Sequence, residues 1–444
     1  MKKYILMGLA LAAIIGLGTF FYKQKLKKDE AFAPLLKRQG IVSSTAEWRN
    51  TKSAIEGLQS LIRKNSHDYK SKYLLALAYM QEARITGEHP YYYPAAMDLI
   101  ENVLNGTADE RLLFEATTAK ATILLSLHHF EEGLKVGNEA KAIDSTSASV
   151  YGILCDANVE LGNYNEAVAM ADKMVSIRPD MRSYARVSYL REIHGDMPGA
   201  IEAMKLAVSS GYPGLEQSAW TRVTLGHLYE KTGDLQNAEA QYKMAMAEYN
   251  HYAFAIGGLG RLEAKKKNYD EAVKLLSKAA DIIPEFSFNE ELVHIYMLTG
   301  KKEKAQEATK ELLKMLDEDA EAGHFVDLEL ANINIQITKD YDKALEYATI
   351  EYKKRPANID VCKTLAHVYY RKKDYNKAKE YIKVARRTNK QVPDLLVLDG
   401  LINYQTGAKE QGLKLIKQSF DMDPFQQDDL TVEAKQLLNP VAAL

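Results

Sequence analysis

Residues 151–179 read YGILCDANVELGNYNEAVAMADKMVSIRP, and this stretch decides the fold. Tyr151, Leu154, Cys155 and Asn158 share one helical stripe, and Ala167, Ala171, Met174 and Ile177 share a second. Between them, Gly162-Asn163 breaks the chain, as a helix stop should. Two helices of about a dozen residues, joined by a short turn, account for the pattern. The unit then recurs. Its Tyr-(Asp/Asn)-x-Ala block reappears as Tyr269–Ala272, Tyr341–Ala344 and Tyr375–Ala378. The last Ala of the block falls at Ala167, Ala200, Ala238, Ala272, Ala305, Ala344 and Ala378, with Gly133 and Gly412 in that place at the ends. The steps are 34, 33, 38, 34, 33, 39, 34 and 34 residues. A fixed period of this size is the signature of stacked supersecondary units.

Two further positions keep the same register. Twelve residues before the marker stands a mostly small side chain: Ala121, Cys155, Ser188, Gly226, Gly260, Ala366 and Gly400, with Val293 and Asn332 as departures. Twelve residues after it stands Pro179, Pro284, Pro356 or Pro424. The small pair lets two helix backbones approach, and a larger side chain there would overpack the contact. The proline ends the second helix because it has no N–H to donate.

On these residues the chain resembles the tetratricopeptide repeat family, over roughly residues 46–426. The resemblance implies an all-α, right-handed superhelix of about ten helix-turn-helix repeats. Residues 46–109 form atypical N-terminal helical repeats, with Ala54–Lys64 as an unpaired second helix and an insertion at 85–93. Residues 110–426 form the regular array, and 427–444 a capping helix and tail, since a terminal repeat has an uncovered face. The long steps fall near 210–217 and 317–323. They read as loosened junctions, the acidic run Asp317–Glu321 as a solvated linker.

Ahead of the array, residues 4–22 carry no charge and are mostly apolar. Nineteen helical residues span about 28 Å, close to the hydrocarbon thickness of a bilayer. Residues 1–28 are therefore expected to be one N-terminal transmembrane helix, with a cleaved signal sequence as the competing reading, and 29–45 a linker. Lysine counts favour a cytoplasmic body, whereas the short basic start is that of an exported chain. The expectation is a membrane-anchored protein with its body outside the cytoplasm, in the periplasm, the cytoplasmic orientation being the alternative.

Composition narrows the function. The chain has 444 residues, 27% charged and 46% hydrophobic, with net charge −2, which gives no footprint for nucleic acid. Two cysteines, Cys155 and Cys362, make neither a disulfide framework nor a zinc site. There is no His-Glu-x-x-His, no phosphate loop and no Gly-x-Ser-x-Gly. Gly257–Gly260 sits in a first helix and reads as packing; the pair His128-His129 reads as a surface turn. Neither a cofactor, nor a metal, nor enzymatic activity is expected.

What remains is surface. The resemblance implies that first helices line a concave groove, so residues just after the small marker face into it. They are Tyr189, Glu192, His227, Glu230, Lys231, Arg261, Lys265, Lys266, His294, His367, Tyr370 and Arg371, with Arg182 and Trp220 one turn earlier. Such a groove fits an acidic or carboxylate-bearing peptide, held by charge-assisted hydrogen bonds. The family's carboxylate clamp needs Lys and Asn four residues apart, and here Lys363 is followed by His367. A membrane-tethered scaffold for a protein or peptide partner is the expected function. A receptor for a glycan or cell-wall peptide, drawing on Tyr189, Trp220 and Tyr370, is one alternative; an accessory subunit of an enzyme or secretion complex is the other. Residues 101–180 are acidic and 301–390 basic, a polarity that also fits head-to-tail self-association.

Overall fold

The computed structural model describes residues 32–38 and 40–438. After a 3₁₀ turn at Gly40–Ser44, every described element is an α-helix. A single helix, α1 (Ala46–Lys64), precedes ten helix pairs. These are α2 (Tyr69–Thr86) with α3 (His89–Gly106), α4 (Glu110–Ser126) with α5 (Phe130–Ile143), and α6 (Ala148–Leu161) with α7 (Tyr164–Ile177). Next come α8 (Met181–Ile193) with α9 (Met197–Ser209), α10 (Glu216–Lys231) with α11 (Leu235–Glu248), and α12 (Ala253–Lys265) with α13 (Tyr269–Ile282). The array continues with α14 (Phe286–Leu298) and α15 (Lys302–Glu321), α16 (Asp327–Gln336) and α17 (Tyr341–Lys354), and α18 (Ile359–Arg371) and α19 (Tyr375–Ala385). It closes with α20 (Pro393–Gln405) and α21 (Lys409–Met422), and then the single helix α22 (Asp429–Leu438).

Local chemistry explains how the hairpins turn in two of the repeats. Gly195 and Gly233 take the left-handed conformation (φ 80° and 72°) that ends the first helix. Asp196 and Asp234 then accept from Gly199 N–H and Asn237 N–H, capping the second. The marker residues meet as their size requires. Ser188 Oγ donates to the Ala200 carbonyl at 2.7 Å, and a Cβ on Gly412 would lie 2.5 Å from the Gly400 carbonyl. Pro179, Pro284, Pro356 and Pro424 each stand just past a second helix.

Two sequence expectations need correction. The acidic run Asp317–Glu321 is no linker: it is the last turn of the 20-residue α15. The insertion at 85–93 is absorbed by two 18-residue helices hinged at Gly87, which complete a full pair inside the region read as atypical. No helix among the described residues is long and apolar enough to cross a membrane. The apolar run at 4–22 lies outside the described residues, as do the rest of 1–28 and the last six residues.

The array curls until successive turns touch. Phe325 N–H donates to the Leu127 carbonyl, and His129 Nε2 meets the Gly323 carbonyl at 2.7 Å, with its ring stacked on Phe325. Ile359 N–H donates to Tyr164 Oη at 2.9 Å, and Arg355 pairs with Glu160 at 2.6 Å. The loop at Gly195 abuts Asn389. Partners in this seam lie about 195 residues apart, between five and six repeats. His128-His129, read as a plain surface turn, is thus part of the contact between turns.

Candidate functional site: the inner cavity

Because successive turns touch, part of the inner face is a half-open cavity of about 580 Å³. Five successive first helices form the wall: α12, α14, α16, α18 and α20. Residues four apart on a helix share a face, so α12 presents Arg261 and Lys265 together, and α18 presents Lys363, His367 and Arg371. Opposite them, residues 423–430 cover the cavity from the C-terminal side.

Most of these charges are paired. Lys363 Nζ lies 2.7 Å from Asp394 Oδ2. Asp394 raises the Lys363 ammonium well above its ordinary value against the effect of burial. Burial works against the Asp394 charge too, yet Lys363 keeps that carboxyl well below the usual range. Arg261 Nη2 donates to His227 Nε2 at 2.5 Å, and Arg261 Nε reaches Glu230 Oε2 at 3.3 Å. Burial and then the Arg261 charge push the His227 imidazole well below its normal pKa, so its Nε2 is the acceptor. Glu291 shifts upward, through burial, with Arg261 opposing.

His367 and Arg371 each keep an unpaired nitrogen in the cavity wall, and Glu230 an unpaired oxygen behind it. Burial, then Arg371, Lys363 and Lys339, push the His367 imidazole down to about 3. Its Nε2 is buried without a hydrogen-bond partner, and so is Arg371 Nε. Buried polar groups are seldom left unsatisfied, and an exception calls for a cause.

Family comparisons agree with the hairpin architecture. Tetratricopeptide-repeat models match residues 223–285 and 359–385. Those two segments are tetratricopeptide repeats. Solved structures of low identity resemble it. A thermophilic repeat protein from Thermus thermophilus is 20% identical over 47% of this chain and 98% of its own, with a TM-score of 0.36. A repeat protein from Parabacteroides merdae is 18% identical, over 58% and 98%, with a TM-score of 0.34. The human IFIT1 dimer with PPP-AAAA is 14% identical, over 84% and 85%, with a TM-score of 0.45. No curated protein matches the chain.

The repeats bring together some of the residues singled out from sequence and not others. Arg261, Lys265, His294, His367 and Arg371 share the cavity. His227 and Glu230 stand behind Arg261 as its partners. Tyr370 is only 4% exposed and donates its hydroxyl to Glu433, so it offers no stacking face. Arg182, Tyr189 and Trp220 do not line the cavity; Tyr189 and Trp220 keep 39% and 41% of their surface in solvent. Sequence reasoning missed the covering segment, with Asp423, Asp428, Asp429 and Glu433, as well as Glu291, Lys339 and Asp394. The acidic run Asp428-Asp429 beside the last helix was the available signal, but it was read as a cap alone.

Proposed function

We propose that this chain is a membrane-tethered scaffold that holds a protein or peptide partner against the inner face of its repeats, without chemistry of its own. Repeats of this family serve as protein-interaction scaffolds, and the convergence of charged side chains from five successive helices on one cavity carries the reading here. A stack of hairpins stabilises itself through its buried small and apolar contacts. Charges aimed into a cavity add nothing to that core, and they give directional recognition. The uncharged run at 4–22 supports the tether, and the short basic start before it supports a body on the periplasmic side. The glycan-receptor alternative draws no support from the aromatic residues, because Tyr370 is buried and Tyr189 and Trp220 stand away from the cavity.

The test is co-purification of the full chain from a detergent extract, compared with a His367→Ala/Arg371→Ala variant. A protein partner in stoichiometric amount is expected with the native chain and not with the variant. Recovery of no such partner, or equal recovery with both, would overturn the proposal. Protease treatment of intact cells and of spheroplasts reads the side of the membrane; a body cleaved only after lysis of the inner membrane contradicts the periplasmic placement.

A further inference from the structure

The cavity wall and its cover carry opposite charge. The wall contributes Arg261, Lys265, Lys339, Lys363 and Arg371 against two carboxylates, Glu291 and Asp394. The cover, residues 423–433 (DPFQQDDLTVE), contains four carboxylates and no cation. Lys265 Nζ lies 2.6 Å from Asp423, Lys339 pairs with Asp429, and Arg371 Nη1 lies 3.4 Å from Glu433 Oε2. Tyr269 Oη donates to Gln427 Oε1 at 2.8 Å. We propose that the cationic wall is a binding site for an acidic peptide, and that the chain's own segment 423–433 occupies it in cis until such a peptide displaces it. This rests on the reading of the inner face as the partner-binding surface, and it specifies the partner's chemistry.

Two features separate this segment from a permanent cap. It uses the site incompletely. Glu433 accepts from Tyr370 and lies 3.4 Å from Arg371 Nη1, yet both Arg371 Nε and His367 Nε2 are left unpaired. A carboxylate seated deeper between them would satisfy two buried groups at once. The segment is also held by a single short helix. In α22 Leu430, Thr431 and Ala434 are buried and Leu437 and Leu438 pack partly against the last helix pairs, while Val432 is 52% exposed. A helix of ten residues does not persist alone in water, so once those contacts break the segment unfolds as a unit.

The experiment uses the full chain in detergent and a fluorescent peptide with the sequence of residues 423–433. Asp429→Asn/Glu433→Gln should weaken the cis contact and raise affinity for the probe at least about tenfold over the native chain, with binding that falls as salt rises. Adding Arg371→Ala should abolish the gain, and a probe with every Asp and Glu replaced by amide should not bind. Leu430→Ala loosens the segment without touching any charge and should give the same gain, which guards against a folding defect in the first variant. Equal affinity for native and loosened chains, or binding that survives Arg371→Ala, overturns the proposal. So does dimer formation by the loosened chain, which would mean that a second copy supplies the segment. The probe needs no natural partner, so its failure leaves the scaffold reading standing, and failed co-purification leaves this one.

Discussion

Gly162→Ala should cost far more stability than Gly407→Ala, although both glycines end a first helix in the left-handed conformation (φ 82° and 95°). The backbone penalty is common to the two, about 1–2 kcal/mol for an L side chain. Around Gly407 a new Cβ meets nothing within 4 Å. At Gly162 it would lie 2.4 Å from the Ala357 carbonyl carbon and oxygen and 2.8 Å from Asn358 N. Backbone atoms cannot swing aside as a side chain can, so the two superhelical turns must part there. That separation strains three hydrogen bonds: Ile359 N–H to Tyr164 Oη (2.9 Å), Asn358 Nδ2 to the Glu160 carbonyl (2.8 Å), and Arg387 Nη2 to the Gly162 carbonyl (2.5 Å). At about 1 kcal/mol net each, the seam adds about 3 kcal/mol to the shared penalty. Urea unfolding followed by far-UV circular dichroism reads the total. Amide exchange of the peptide containing Ile359 reads the seam itself, and protection there should drop in Gly162→Ala alone. If the two variants lose equal stability and Ile359 keeps its protection, the turns do not bear on each other and the inner cavity goes with them.

Two other outcomes follow from the same structure. Lys373 occupies a helix-stop position at φ 61° with an exposed side chain, so Lys373→Gly should raise stability by about 0.5–1 kcal/mol in urea titrations; the gain from relieved backbone strain exceeds the added freedom of the unfolded chain. His367 is held down to about 3 by burial and the neighbouring Arg371, Lys363 and Lys339, with Asp394 opposing, against about 6.5 when unfolded. The unfolded chain therefore binds the extra proton, and the contribution of His367 is present above pH 6.5 and lost as pH falls toward 3. Urea midpoints at pH 7, 6 and 5 should fall more steeply for the native chain than for His367→Gln, by up to about 1 kcal/mol per pH unit; parallel curves would contradict the buried placement.

The hairpins were legible in the sequence because everything that makes them is local. Small residues at Ser188 and Ala200, or Gly400 and Gly412, dictate close helix contact whatever surrounds them. Gly-Asp pairs stop one helix and cap the next with groups only a few residues apart. The candidate site was half legible. Helical spacing put Arg261 with Lys265, and His367 with Arg371, on inward faces, but it equally included Arg182, Tyr189 and Trp220. Sequence periodicity also failed at Asp317–Glu321, where a charged helical turn and a solvated linker have the same composition.

By itself, then, the chain's sequence determined that it would stack ten pairs of helices and which side of each pair would be polar. Curvature it did not determine. Each junction adds a small rotation set by side-chain packing, and only their sum over several repeats brings Gly162 against Ala357 and Asp423 against Lys265. A groove became a cavity, and a capping segment became its cover, through contacts between residues 62 to 225 positions apart, a distance over which no local pattern carries information.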